Sequence, residues 1–89
     1  MKLKNGFILR KCGEADIVVP VGANVEEYKN VMVTVSGSGR LLWDMLSKGC
    51  EREDLVAALL NKYDVEREIV EKDVDIFLKK LKQAGILDG

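Results

Sequence analysis

Catalytic chemistry has little material in this sequence. There is no histidine, which removes Ser–His and Cys–His nucleophile pairs and most of the familiar zinc ligand sets. The two cysteines, Cys12 and Cys50, stand far apart with no CxxC spacing. Neither a metal clip nor a redox pair is expected from them, and reduced thiols in a cytoplasmic protein are the simpler reading. The 15 Asp and Glu residues are scattered along amphipathic stretches and read as solvated faces. Ser36-Gly37-Ser38-Gly39-Arg40 puts small residues ahead of a helix, as phosphate loops do, but lacks the GK[ST] ending. A plain junction explains it as well. No catalytic residue, metal or cofactor is expected.

Two features could instead bind something. Val31-Met32-Val33-Thr34-Val35 has strong β propensity and contains no lysine or proline of the kind that guards exposed strand edges. As the last strand of a meander it is an edge, a template for an added strand, unless a loop or the following helix covers it. Val33, at its centre, is the first donor to consider. If its amide points to the neighbouring strand, the free donors fall to Met32 or Thr34. The second feature lies on the last helix. Ile69 and Ile76 are seven residues apart and share one line, about 140–160° around the wheel from Val74. Asp73 and Lys80 flank that line. An apolar line outside the core with opposite charges at its rim suits a docking groove. Two isolated surface isoleucines are the alternative.

The elements that hold these residues follow from pattern. Strands are predicted at about 7–12, 16–21 and 31–35, with Gly13 and Asp16 marking the first turn and Pro20 near a strand end. Helices are predicted at about 39–48, 51–63 and 66–84. Ser36 or Ser38 is the expected cap of the first, with Leu41, Leu42, Met45 and Leu46 on its apolar face and Trp43 to one side. Gly49 and Gly85 are expected stops. Leu55, Val56, Leu59 and Leu60 face inward from the second helix. Val70, Val74, Phe77, Leu78 and Leu81 form the core stripe of the third. The fold class is α+β: an N-terminal three-stranded antiparallel sheet followed by a three-helix, winged-helix-like bundle, in one domain over 1–89.

Composition narrows the partners. The chain has 89 residues and a formal charge of -1, against the basic surface that nucleic-acid binding asks for. A DNA-reading third helix would carry Glu66, Glu68, Glu71, Asp73 and Asp75 toward phosphates, and few residues remain after it for a wing. MKLKNGFILRKC lacks the apolar core of a signal peptide, and no run reaches membrane-spanning length. Neither nucleic acid nor membrane is an expected partner. A winged-helix DNA-binding domain and a generic protein-interaction adaptor are the rival readings.

MKLKNGFILRK, IVVPVG, the third strand running into SGSGRLLWDML, DLVAALLNKYDV and DVDIFLKKLKQAGILD, in that order, closely resemble the PqqD family, also called the RiPP recognition element. The resemblance implies three strands followed by three helices. It also implies a non-catalytic module that binds the leader of a ribosomally made precursor peptide as an antiparallel strand between third strand and third helix. Carried onto this sequence, the contacts are Val31, Met32, Val33, Thr34 and Val35 on the strand and Ile69, Asp73, Ile76 and Lys80 on the helix. The partners implied are the precursor peptide and a modifying enzyme such as a radical SAM maturase, with this chain free-standing. The open edge would also allow a homodimer.

Overall fold

The computed structural model describes residues 1–22, 24–28, 33–35 and 37–88. A short strand β1 (Lys2–Leu3) precedes the hairpin of β2 (Phe7–Cys12) and β3 (Ala15–Pro20), which pair antiparallel with Phe7 opposite Pro20 and Cys12 opposite Ala15. Their turn is Gly13–Glu14. Gly13 lies at φ 68, the left-handed conformation that a two-residue hairpin loop with glycine first requires. Asp16, expected in this turn, instead belongs to β3 and is buried. A buried carboxylate must be paired, and Arg40 Nε meets its Oδ2 at 3.0 Å. Pro20 closes β3, where its missing N–H interrupts no ladder.

Beyond a one-turn helix α1 (Asn24–Glu27), β4 (Val33–Val35) joins β3 with Val18 opposite Val33 and Asp16 opposite Val35. The sheet order β2-β3-β4 is the expected antiparallel meander, with β4 at its edge. Val31 and Met32, the first two residues of the predicted strand, lie outside the described residues, as does Ser36. Period-two alternation sends Val18, Val33 and Val35 into the core and leaves Ile8 and Thr34 outside.

Three full helices follow: α2 (Ser38–Lys48), α3 (Arg52–Lys62) and α4 (Arg67–Gln83). Each lies within two residues of its predicted span. The α+β class holds, with α1 the addition: four residues are too few to show a 3.6-residue period. The cap of α2 departs from expectation. Gly37 is the N-cap, at φ 55, and makes no side-chain bond, while Ser38 is already the first helical residue. α3 has the reciprocal arrangement of a capping box, with the Glu51 N–H donating to Asp54 Oδ2 at 2.9 Å.

Leu42, Trp43 and Leu46 from α2, Leu55, Val56 and Leu59 from α3, and Val70, Val74, Leu78 and Leu81 from α4 meet the inner sheet face in one core. Trp43 is therefore a core residue and not a flank of the apolar face. Phe77, assigned to the core stripe, is only half-buried at its margin. A further small sheet ties the chain ends: β1 pairs with β5 (Leu87–Asp88), and Leu3 and Ile86 are buried beside it. On the far side of α4, Arg52 forks onto Asp75 at 2.6 and 3.0 Å, and Arg67 bridges Glu53 and Glu71. These pairs lock α4 to α3 along the side facing away from Ile69 and Ile76. The Arg52 guanidinium, by donating to it, holds the Asp75 carboxyl below the usual carboxylate range. Among the described residues, no helix is long and apolar enough to cross a membrane.

Candidate functional site

The hydrogen-bond phase of the sheet decides which groups of β4 are free. Val21 N–H donates to Gly6 O at 2.8 Å, one residue pair before Phe7–Pro20. In an antiparallel ladder, bonded and non-bonded pairs alternate. Counting along the register, Val19 and Ile17 turn their peptide groups to β2, so Val18 and Asp16 turn theirs to β4. Their partners Val33 and Val35 are thereby engaged with β3, and the Thr34 N–H and C=O point out of the sheet. Val33 is thus not a donor for an added strand. Its amide faces inward and its side chain is 3% exposed. Thr34 is the open position.

α4 forms the wall opposite this edge. Ile76 and Ile69 are 56% and 51% exposed, on the side of the helix turned from Val70, Val74, Leu78 and Leu81. Two hollows lie along α4, the first of them between the helix and β4. One, of about 230 Å³, is lined by Thr34 and Val35 from β4, Ser38, Gly39 and Leu42 from α2, and Asp73, Ile76, Phe77 and Lys80 from α4. The next, of about 260 Å³, is lined by Leu59, Tyr63 and Val65 from the end of α3 and the connection after it, with Ile69 and Val70 from α4. Ser38 and Asp73 border both, so the hollows adjoin along the helix. Of the nine residues the sequence singled out, Thr34, Val35, Asp73, Ile76 and Lys80 gather around the first hollow and Ile69 enters the second. Val33 supports the wall from inside, and Val31 and Met32 lie outside the described residues.

The floor explains a glycine. A Cβ built on Gly39 would lie 3.3 Å from Phe77 Cε1 and 3.3 Å from Val35 Cγ1. α2 can approach β4 and α4 this closely because that atom is absent. The buried Asp16 pairs alongside with the exposed Arg40: Asp16 stands opposite Val35 in the ladder, and Arg40 follows Gly39 by one residue. The first turn of α2 is so pinned to the sheet beside the groove. At the other end of the wall, Tyr28 packs edge-on against Phe7 at 4.9 Å and its hydroxyl donates to Gly85 O. That contact fixes the C-terminal end of α4 against the hairpin.

Sequence reasoning missed Ser38, Gly39, Leu42, Tyr63, Val65 and Phe77 as groove residues. Tyr63 and Val65 are 39% and 45% exposed. An aromatic and a β-branched residue in a connection between two helices were a legible sign, since such connections are ordinarily polar. Phe77 is one position from Ile76 and belongs to both stripe and groove, which a two-way division of a helical wheel cannot register.

Among the described residues, those lining the groove form no nucleophile–base pair. The groove offers a strand position whose peptide group has no backbone partner among the described residues, an apolar trough and charges of both signs, Asp73 and Lys80. A larger hollow, about 640 Å³ and wide open, lies elsewhere between α2 and α3, over Met45, Ala57 and Ala58. It borders no free strand edge, so it has no backbone with which to hold an extended chain. Cys50 on its rim is a thiol whose pKa is raised by burial, the unreactive direction.

Comparison with known proteins agrees with this fold. The model of the family described as coenzyme PQQ synthesis protein D (PqqD) matches residues 17–87. A solved structure described as TbiB1 in complex with the TbiA(beta) leader peptide superposes with a TM-score of 0.77. It shares 22% sequence identity, covering 100% of this chain and 96% of that one, and at that identity the likeness speaks for the fold. No curated protein sequence matches this one.

Proposed function

This chain belongs to the PqqD family, and on that footing we propose that it binds the leader of a ribosomally synthesised precursor peptide in the groove between β4 and α4. The leader adds to the sheet as a strand antiparallel to β4, its backbone pairing with Thr34 and its apolar side chains entering the hollows at Ile76–Phe77 and Ile69–Tyr63–Val65. The chain itself is a non-catalytic module. It works in the cytoplasm by effective concentration, holding the tethered core peptide within reach of a separate maturation enzyme, which we take to be of the radical SAM class. The open edge also admits a second copy of the chain, and such a homodimer would compete with the leader.

The observation that carries this reading is the outward-pointing Thr34 peptide group bordering an apolar groove. Backbone pairing supplies affinity for any extended segment, and the hollows supply selectivity. The test is a titration of a labelled extended peptide, the leader segment of a candidate precursor, against two proline variants. Thr34→Pro removes the outward N–H while leaving the β3–β4 bonds, so binding should be lost from a folded protein. Val33→Pro removes an inward donor within the ladder and should lower the melting temperature sharply. Full-strength binding by a folded Thr34→Pro variant would refute strand addition at this edge.

A further inference from the structure

A free strand edge is a liability that proteins normally guard, and the described residues of β4, Val33–Val35, include no lysine or proline to guard it. Lys80 provides one from the opposite wall: its Nζ donates to the Thr34 carbonyl oxygen at 3.3 Å. That carbonyl is one of the two groups an added strand must use. Bringing in a strand therefore displaces the ammonium, which then stands exposed over the new strand and needs an acceptor. At the other end of the first hollow, the exposed Asp73 carboxylate stands where the two hollows meet.

We propose that Lys80 is an exchangeable edge guard, and that the groove's ligand is an extended peptide in which a basic residue precedes an acidic one by an even spacing, about two or four positions. This rests on the leader-binding reading above and specifies its ligand. The spacing follows from the helix. Lys80 and Asp73 are seven residues apart on α4, about 10 Å, which a strand covers in about three residues; because alternate residues face opposite sides, both side chains turn to α4 only at the even separations on either side, about two or four. The order follows from direction. From Thr34 through Val35 to Ser38, the chain runs from the Lys80 end of the groove to the Asp73 end. A strand antiparallel to β4 runs the other way, so it meets the Ile69–Tyr63–Val65 hollow first, Asp73 next and Lys80 last. The residue opposite Thr34 supplies the N–H that replaces the ammonium on the carbonyl, and an acidic side chain on an adjacent residue, turned to the same face as Val33 and Val35, takes the ammonium released from Thr34. A neutral residue at that place leaves the displaced lysine uncompensated, so the guard works as a filter.

A displayed library of random dodecapeptides selected on the full chain tests this, with Lys80→Met and Lys80→Glu selected in parallel. On the unaltered chain, enriched peptides should carry apolar residues with a basic-then-acidic order. On Lys80→Glu the acidic preference should vanish or turn basic. Two enriched peptides, identical except for Glu or Gln at the acidic place, are then titrated against Lys80→Met. The Glu peptide should weaken by up to about fivefold, the range of a rim ion pair, while the Gln peptide should bind as well or better because the competing guard is gone. Enrichment of apolar peptides with no charge order, or a Gln peptide that also weakens, would overturn the guard and leave leader binding standing. If no extended peptide enriches and the natural leader does not bind, both fall.

Discussion

Truncating Ile76 separates the groove from the core on a single helix. Ile76 and Phe77 are neighbours in sequence, yet the first is 56% exposed and the second half-buried against Gly39 and Val35. Fully burying an isoleucine-sized side chain contributes roughly 1.5–3 kcal/mol. The part of Ile76 still open to solvent can therefore contribute about 1–2 kcal/mol when a ligand covers it, on the order of tenfold in Kd. Ile76→Ser should weaken leader binding by about that factor. It should leave the melting temperature nearly unchanged, since it removes little surface that folding buries. Phe77→Ala should lose both. Its ring is partly in the core, so the cost to stability should fall toward the low end of the roughly 3–5 kcal/mol of a buried phenylalanine truncation, and binding should suffer as well because the ring lines the same hollow. The assay is a titration of labelled leader beside a thermal melt for each variant. If Ile76→Ser melts as early as Phe77→Ala, Ile76 holds the fold together and the division of α4 into two sides is wrong. If it stays folded and binds at full strength, the leader does not use this hollow.

Three further outcomes are expected. Gly39→Ala should fold, because alanine favours a helix by about 1 kcal/mol over glycine; its new methyl must push the Phe77 ring, so leader affinity should fall more than stability, as read by titration and melt together. Arg40→Met should destabilise the chain by about 1–3 kcal/mol by leaving the buried Asp16 carboxylate unpaired, and Asp16→Asn introduced with it should recover part of that loss in denaturant titrations. Because Arg52 lowers the Asp75 pKa, the stability that pair contributes is fully present above the ordinary carboxylate pKa and is lost as pH falls through the depressed one. Asp75→Asn should accordingly melt slightly below the unaltered chain at neutral pH and match it in strong acid.

Much of the architecture was legible because it is periodic. The three helices declared themselves through Leu42 and Leu46, Leu55 and Leu59, and the stripe from Val70 to Leu81, and the meander through runs of β-branched residues. Ile69 and Ile76 stood off the core line by angle alone, and the structure places both in the open. What escaped has no period. β1 and β5 are two residues each, and their pairing joins the chain ends, which no local pattern records. Asp16 looked like a turn residue because aspartate usually is one; only the ladder sets it opposite Val35 with Arg40 in reach. The amide choice between Val33 and Thr34 depends on the bond phase inherited from Gly6 and Val21 at the far edge of the sheet, a fact about three strands at once. Lys80 could be placed at a rim from the wheel, but its bond to the Thr34 carbonyl is visible only when both walls stand together.

Amide hydrogen exchange at Thr34, with and without the leader, tests the central claim most directly. In the free chain Val33 and Val35 donate to β3 and should exchange slowly, while the outward Thr34 N–H should exchange much faster. On adding leader, Thr34 should become protected to the level of its neighbours, together with shifts at Ile76 and Ile69. A leader that binds while Thr34 exchanges as before, or that perturbs the hollow over Met45 and Ala57 instead, would contradict strand addition at β4.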